Sequence, residues 1–376
     1  MTNIYFHTNG ALVDSPHFHY TFNYPPKGIT YVGSTQSAGD VILNMGTQRL
    51  YKMLASMAKA IANTFGKSGV NVSIPGKRSN GCRVIHSFNT IPATTKPYII
   101  ELESFHALFI GGAKNSGAVK KIINHLSKRN CKKILFWTQN AHDNFHKLMC
   151  TPSLKKKSIV LYPGVPLYTQ NKQHKIPTIG FIARDFFNKG GDLVLPTMKD
   201  FVEAGKAKAI IITDVKEFKK DHPILYEDYN KFITFKHLMP RSDLHKKVFP
   251  KIDILFYPGY SDTFGYIFPE AMSHGIPIVT LNGCARKELV NNSGGYVVDT
   301  ILNEWGFLAE LGKFNKSEDL EIGVSIGITN IIADKKLRKS MSDYNYEAVK
   351  SGIFSLYNRN EILIEIYKEI YKEVLK

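Results

Sequence analysis

Short apolar runs rich in Val, Ile, Phe and Tyr alternate with helix-length segments along the whole chain. That alternation admits few folds, because a strand followed by a helix and another strand builds a parallel sheet covered by helices. In the first half the strand-like runs begin at Asn3, Arg83, Tyr98 and Lys133 and close with the run at Ile159; helices are expected around residues 47–65 and 117–128. In the second half the runs begin at Thr178, Ala209, Phe232, Ile252, Ile276 and Gly295. Two doubly wound, Rossmann-like α/β domains are therefore expected, and a length of 376 residues agrees, being more than one ordinary core accommodates. The polar stretch 169–175 reads as a linker, which sets the domains at 1–170 and 171–358. Residues 359–376 read as a final helix with Ile362, Ile366, Ile370 and Val374 on one face, a stripe that needs a partner.

Composition narrows the function classes. With 43% hydrophobic and 22% charged residues, the chain is neither disordered nor fibrous. It has no apolar run of the roughly 18 residues a membrane-spanning helix needs, and Met1 to Gly10 lack a signal-peptide core. A cytoplasmic protein is expected, with peripheral attachment at the inner membrane face as the membrane-bound variant. Cys82, Cys131, Cys150 and Cys284 form no C-x-x-C pair and have no His at zinc spacing, so reduced thiols are expected rather than disulfides or a zinc site. The net charge of +17 is uneven: residues 1–170 hold 20 Lys and Arg against 5 Asp and Glu, the remainder 29 against 27. So basic a first half is drawn to anionic surfaces such as phospholipid headgroups, phosphate-bearing polymers or nucleic acid, less so in salt. A solvated lysine-rich surface explains the same count without a partner.

Doubly wound sheets bind ligands beyond the carboxyl ends of their strands, which directs attention to three loops of the second half. The first places Arg184 and Lys189 beside Gly190 and Gly191, two cations able to clamp a diphosphate; the plain alternative is a solvated loop. In the second, a helix is expected to begin near Phe264 and Gly265, with Tyr266 and Ile267 in its first turn, where main-chain N–H groups suit a phosphate. Asp262 precedes that helix and Glu270 lies inside it, so the two carboxylates suit different parts of one elongated ligand. An N-cap for Asp262 and a buried structural hydrogen bond for Glu270 are the simpler readings. The third loop, residues 281–290, leads from a strand through Gly283 into a helix and offers further main-chain donors.

Taken in order, these segments resemble the C-terminal half of retaining GT-B glycosyltransferases of family four, the group 1 glycosyl transferases. The family's G-R-x-x-x-x-K-G loop is matched from Ala183-Arg184 to Lys189-Gly190, with Ala for the leading Gly. Its E-x7-E motif corresponds to Asp262 through Glu270 around Phe264-Gly265, the first acid shortened to Asp. Residues 283–288 and Gly294-Gly295 resemble a later G-x-x-E and glycine pair. The resemblance is good over residues 159–298 and poorer before, where Gly10 stands for the family's first glycine loop. A His that the family places near the reacting sugar is replaced by Glu103, with Glu101, His106 and His86 as neighbours that could take its role.

The resemblance implies two doubly wound domains facing a central cleft, with the final helix crossing back to the first domain. It implies a hexosyltransferase: Arg184, Lys189, Glu103 and Asp262 as catalytic residues, and Gly10, Phe264, Gly265, Tyr266, Ile267 and Glu270 on the donor. UDP- or GDP-sugars are the expected co-substrates, with no cofactor and no metal. The expected acceptor is a glycan, lipid-linked or other anionic molecule, and nucleic acid is not expected. Base recognition is expected from residues 214–220 and 237–241. The rival readings are an epimerase or phosphorylase on the same fold, and a non-catalytic protein that binds sugar nucleotides or nucleic acid.

Overall fold

A computed structural model describes residues 2–8, 15–33, 69–110, 116–308 and 318–374. It divides into two compact units, residues 1–163 with 356–376 and residues 164–355. The helix expected at 47–65 and the glycine expected at position 10 lie outside the described residues.

The main strands of the first unit are β1 (Thr2–Thr8), β2 (Ile29–Gly33), β3 (Val84–Phe88), β4 (Tyr98–Leu102), β5 (Cys131–Phe136) and β6 (Ser158–Val160). They form one sheet in the order β6-β5-β4-β3-β1-β2, every pairing parallel. β3 and β4 are buried along their whole length, as strands covered on both faces must be; their sequences are mostly apolar, interrupted by the buried His86, Ser87 and Glu101. Helices α1 (Pro16–Asn23), α2 (Ser116–Ser127) and α3 (Gln139–Leu148) are among those that connect the strands. The start of α3 is fixed by Thr138, whose hydroxyl accepts the Ala141 N–H at 3.0 Å. β2 has no counterpart in the sequence reading; it is a five-residue edge strand, bounded by Gly28 and Gly33, whose residues are mostly half-buried.

The second unit repeats the plan with β7 (Thr178–Ile182), β8 (Lys208–Thr213), β9 (Thr234–His237), β10 (Ile254–Phe256), β11 (Ile278–Leu281) and β12 (Gly295–Val298). Its order is β9-β8-β7-β10-β11-β12, again wholly parallel. Helix α4 (Gly191–Glu203) follows β7, α5 (Ile267–Met272) follows β10 and α6 (Arg286–Leu289) follows β11; α7 (Glu318–Ala333) and α8 (Lys335–Lys350) complete the unit. Residues 164–170, assigned from sequence to the first half, belong here. The Tyr168 N–H donates to the Ser273 carbonyl at 3.2 Å, and its ring stacks on His245 and His274 at 4.0 and 4.9 Å.

The final helix, α9 (Leu356–Val374), belongs to the first unit. Its buried face is Leu363, Ile366, Tyr367 and Ile370, packed on Ile4, Val84, Ile99 and Leu135 of four adjacent strands. Side chains of this size stabilise by roughly 1.5–3 kcal/mol each when fully buried. The face differs from the expected stripe by a part-turn: Ile362 is 45% exposed, and the i, i+3, i+4 spacing of Leu363, Ile366 and Tyr367 takes its place.

Candidate active site

The strand order of the second unit reverses direction between β7 and β10, the position at which open parallel sheets bind ligands. The loops after these two strands meet there. Gly190 closes the first with a left-handed φ of 82°, and a β-carbon at this position would lie 2.7 Å from the Pro258 ring of the second. Only glycine allows that approach. The loops are further joined by the Tyr260 N–H to the Asn188 carbonyl at 3.0 Å, and by the Tyr260 hydroxyl to Asp192 at 2.9 Å.

This junction brings Lys189 and Asp262 together. The Lys189 ammonium donates to the Ser261 carbonyl and pairs with Asp262 Oδ1 at 2.9 Å, while Asp262 Oδ2 accepts from the Tyr257 hydroxyl at 2.7 Å. Burial, then the neighbouring Asp262 carboxylate, pushes the Tyr257 phenol well above its usual range, so it stays a donor. Arg184, on the same loop as Lys189, is exposed.

Glu270 lies on α5, 1% exposed, and forms an ion pair with Arg241, which follows β9. Asp214 and His237, from the two loops expected to recognise the base, stand 3.6 Å apart. Phe264 is buried and packs edge-on to Tyr266 at 5.1 Å; Gly265, Tyr266 and Ile267 are half-buried at the start of α5. Asp262 is not the N-cap of that helix: its carboxylate is taken up by Lys189 and Tyr257.

The remaining expected residues belong to the first unit. Glu103 is half-buried just beyond β4, its N–H donating to Asn89 Oδ1 at 3.0 Å. His106 Nδ1 lies 2.9 Å from the Ser104 hydroxyl. Glu101 and His86 are fully buried and committed elsewhere. Glu101 is ion-paired with Arg359 of α9, accepts from the Trp137 indole N–H at 3.0 Å, and lies 3.2 and 3.3 Å from His86 and His17. His86 Nδ1 is 2.6 Å from the Tyr367 hydroxyl, which is 2.9 Å from that of Tyr31. The carboxylate is held well below its usual range against the cost of burial, chiefly by Arg359 and then by the two histidines.

Arg286 was not singled out from sequence. It lies at the start of α6, 1% exposed, with Nη1 donating to the carbonyls of Leu281 and Asn282 at 3.1 and 3.3 Å. Among the described residues, three or more His, Cys, Asp or Glu do not gather in any arrangement that would hold a metal ion.

Residues 169–320 match the family described as glycosyl transferases group 1. An uncharacterized glycosyltransferase of Methanocaldococcus jannaschii is 23% identical over 246 residues, covering 56% of this chain and 61% of the relative. Among solved structures, sucrose-phosphate synthase from Thermosynechococcus elongatus superposes with a TM-score of 0.65 at 10% identity, over 99% of this chain and all of that one. HepE from Anabaena, in complex with UDP, gives 0.63 at 12% identity over 98% of this chain and all of that one. WaaG, a glycosyltransferase involved in lipopolysaccharide biosynthesis, gives 0.57 at 13% over 97% and 99%. At these identities the superpositions establish the fold, which is GT-B.

Proposed function

We propose that this protein is a glycosyltransferase that takes its sugar from a nucleotide-sugar donor held by the second unit. The observation that carries this reading is the Lys189–Asp262–Tyr257 cluster, which sits at the β7/β10 switch point inside the group 1 domain. A departing nucleoside diphosphate gains negative charge, and fixed cations at that point lower the barrier. Arg184 and Lys189 are the residues for this task, and Asp262 meets the hydroxyls of the sugar. Glu270, with Arg241, meets the ribose, and residues 264–267 line the diphosphate. Gly10 is a further donor-binding residue, and Glu103 orients the sugar or acceptor. The donor is a UDP- or GDP-sugar, and UDP in the HepE complex supports the former.

Transfer proceeds with retention and without a metal ion, as the family-four motifs suggest. The acceptor is a glycan or lipid-linked molecule bearing negative charge, which the 20 basic residues of positions 1–170 would favour. The test is hydrolysis of UDP- and GDP-sugars by the purified chain in EDTA, with the released anomer followed by proton NMR. Turnover that persists in EDTA with first release of the α-anomer from an α-linked donor supports the reading. Turnover restored only by added divalent ion contradicts its metal-independent part, and first release of the β-anomer contradicts retention.

A further inference from the structure

Arg286 stands outside the Lys189–Asp262–Tyr257 cluster, yet its surroundings are specific. Nη1 is satisfied by two main-chain carbonyls, whereas Nε and Nη2 are buried and meet no acceptor. Those two N–H groups lie along one edge of the guanidinium and form the two-pronged fork that fits a carboxylate. A cation buried with an unfilled fork is costly, so a second arrangement that fills it is favoured. The backbone makes room for the group: a β-carbon on Gly283, whose φ is 151°, would lie 3.0 Å from Nη1. Cys284, next in the chain, is held at a left-handed φ of 49°, a strain that accumulates at functional loops. Asp262 stands at the same end of the sheet: its hydroxyl partner Tyr257 directly follows β10 and donates its N–H to the Val279 carbonyl of β11 at 2.9 Å, while Arg286 is anchored on the Leu281 carbonyl that ends β11. Burial pushes the Arg286 guanidinium down, and the Asp262 carboxylate opposes that shift. Asp262 is for now occupied by Lys189 and Tyr257.

Resting on the donor-site reading above, we propose that Arg286 is the reserve counter-ion of Asp262. When a nucleoside diphosphate draws Lys189 away, the Asp262 carboxylate moves onto the Nε–Nη2 edge of Arg286 and is held there toward the sugar. Arg286 is thus a positioning residue: it lets Lys189 leave without stranding a carboxylate, and it fixes that carboxylate for the donor.

The test is a double-mutant cycle on the full chain, read by calorimetric titration with UDP, GDP and ADP. Arg286→Met is expected to weaken binding of the preferred nucleotide by about tenfold when Asp262 is present, and by less than about twofold in an Asp262→Asn background. Equal weakening in both backgrounds marks a purely structural role and overturns the inference. Should Arg286→Met not fold by circular dichroism, Arg286→Lys, which keeps the charge but lacks the fork, enters the same cycle with the same criterion. A crystal structure of the wild type with the bound nucleotide gives a second reading: Asp262 on Arg286 supports the exchange, and Asp262 still on Lys189 contradicts it. Absence of binding by the wild type overturns the donor-site reading and this inference with it, whereas binding with an additive cycle overturns this inference alone.

Discussion

Lys189 is the residue on which the proposed chemistry turns, since it pairs with Asp262 where the β7 and β10 loops meet. Lys189→Ala is expected to lower donor hydrolysis by about 10²–10³-fold, as loss of one fixed charge-stabilising group does elsewhere, with little change in Tm. Single-turnover hydrolysis alongside thermal unfolding checks both halves of that statement, and a variant that hydrolyses normally contradicts the role. Gly190→Ala should act through the backbone. A left-handed φ and a 2.7 Å approach to Pro258 together destabilise the unit by about 1–3 kcal/mol, measurable by urea unfolding. The meeting of Lys189 with Asp262 was legible in the sequence because strand-end loops and motif spacing single both out. Arg286 was not, because a lone arginine in a strand-to-helix turn has no periodicity, and its burial depends on how the loop around Gly283 closes. The Arg241 partner of Glu270 was hidden for a related reason: the pair lies 29 positions apart in the chain, with β10 between them.

Among the elements, α9 is the one whose attachment is most heavily specified. It brings Arg359 and Tyr367 to a carboxylate at the centre of the first unit's sheet, so removing the cation leaves Glu101 buried with only Trp137 and two histidines beside it. Arg359→Met is expected to destabilise by about 3–5 kcal/mol, read as a drop in the denaturant midpoint. The network also predicts acid sensitivity. Burial lowers the folded pKa of His17 to about 3, so below its usual value of 6.5 the unfolded chain binds a proton that the folded chain refuses. Glu101 is depressed too, and its contribution is present above the ordinary carboxylate range and lost as the pH falls below it. Both act in the same direction, so stability should decline from about pH 6.5 downward and more steeply below pH 4.5. Arg359→Met should blunt the second phase; a stability flat from pH 7 to 4 contradicts the scheme. The strands were legible because burial on both faces makes them short runs dominated by apolar and β-branched residues, and the α9 contact face was misread by a part-turn because tyrosine reads as polar or apolar according to whether its hydroxyl finds a partner. Here Tyr367 finds His86 and Tyr31.

At the scale of the whole molecule, two units, each built on a six-stranded all-parallel sheet, give the GT-B fold, while the charge is concentrated in the first half of the chain. If that charge recruits an anionic acceptor or membrane surface, the protein should sediment with vesicles containing anionic lipid at low ionic strength. It should be released as the Debye length shrinks from about 30 Å at 0.01 M salt to about 8 Å at 0.15 M. Binding that is indifferent to salt contradicts an electrostatic origin. No helix among the described residues is long and apolar enough to cross a membrane, so such attachment would lie at the surface. The central claim is that the second unit holds a sugar nucleotide at the junction of the β7 and β10 loops. It is tested most directly by thermal shift of the wild type, Arg184→Ala and Glu270→Ala against UDP-, GDP- and ADP-sugars without metal. The account predicts stabilisation of the wild type by one donor and its loss in both variants; stabilisation by none, or equal stabilisation of all three proteins, contradicts it.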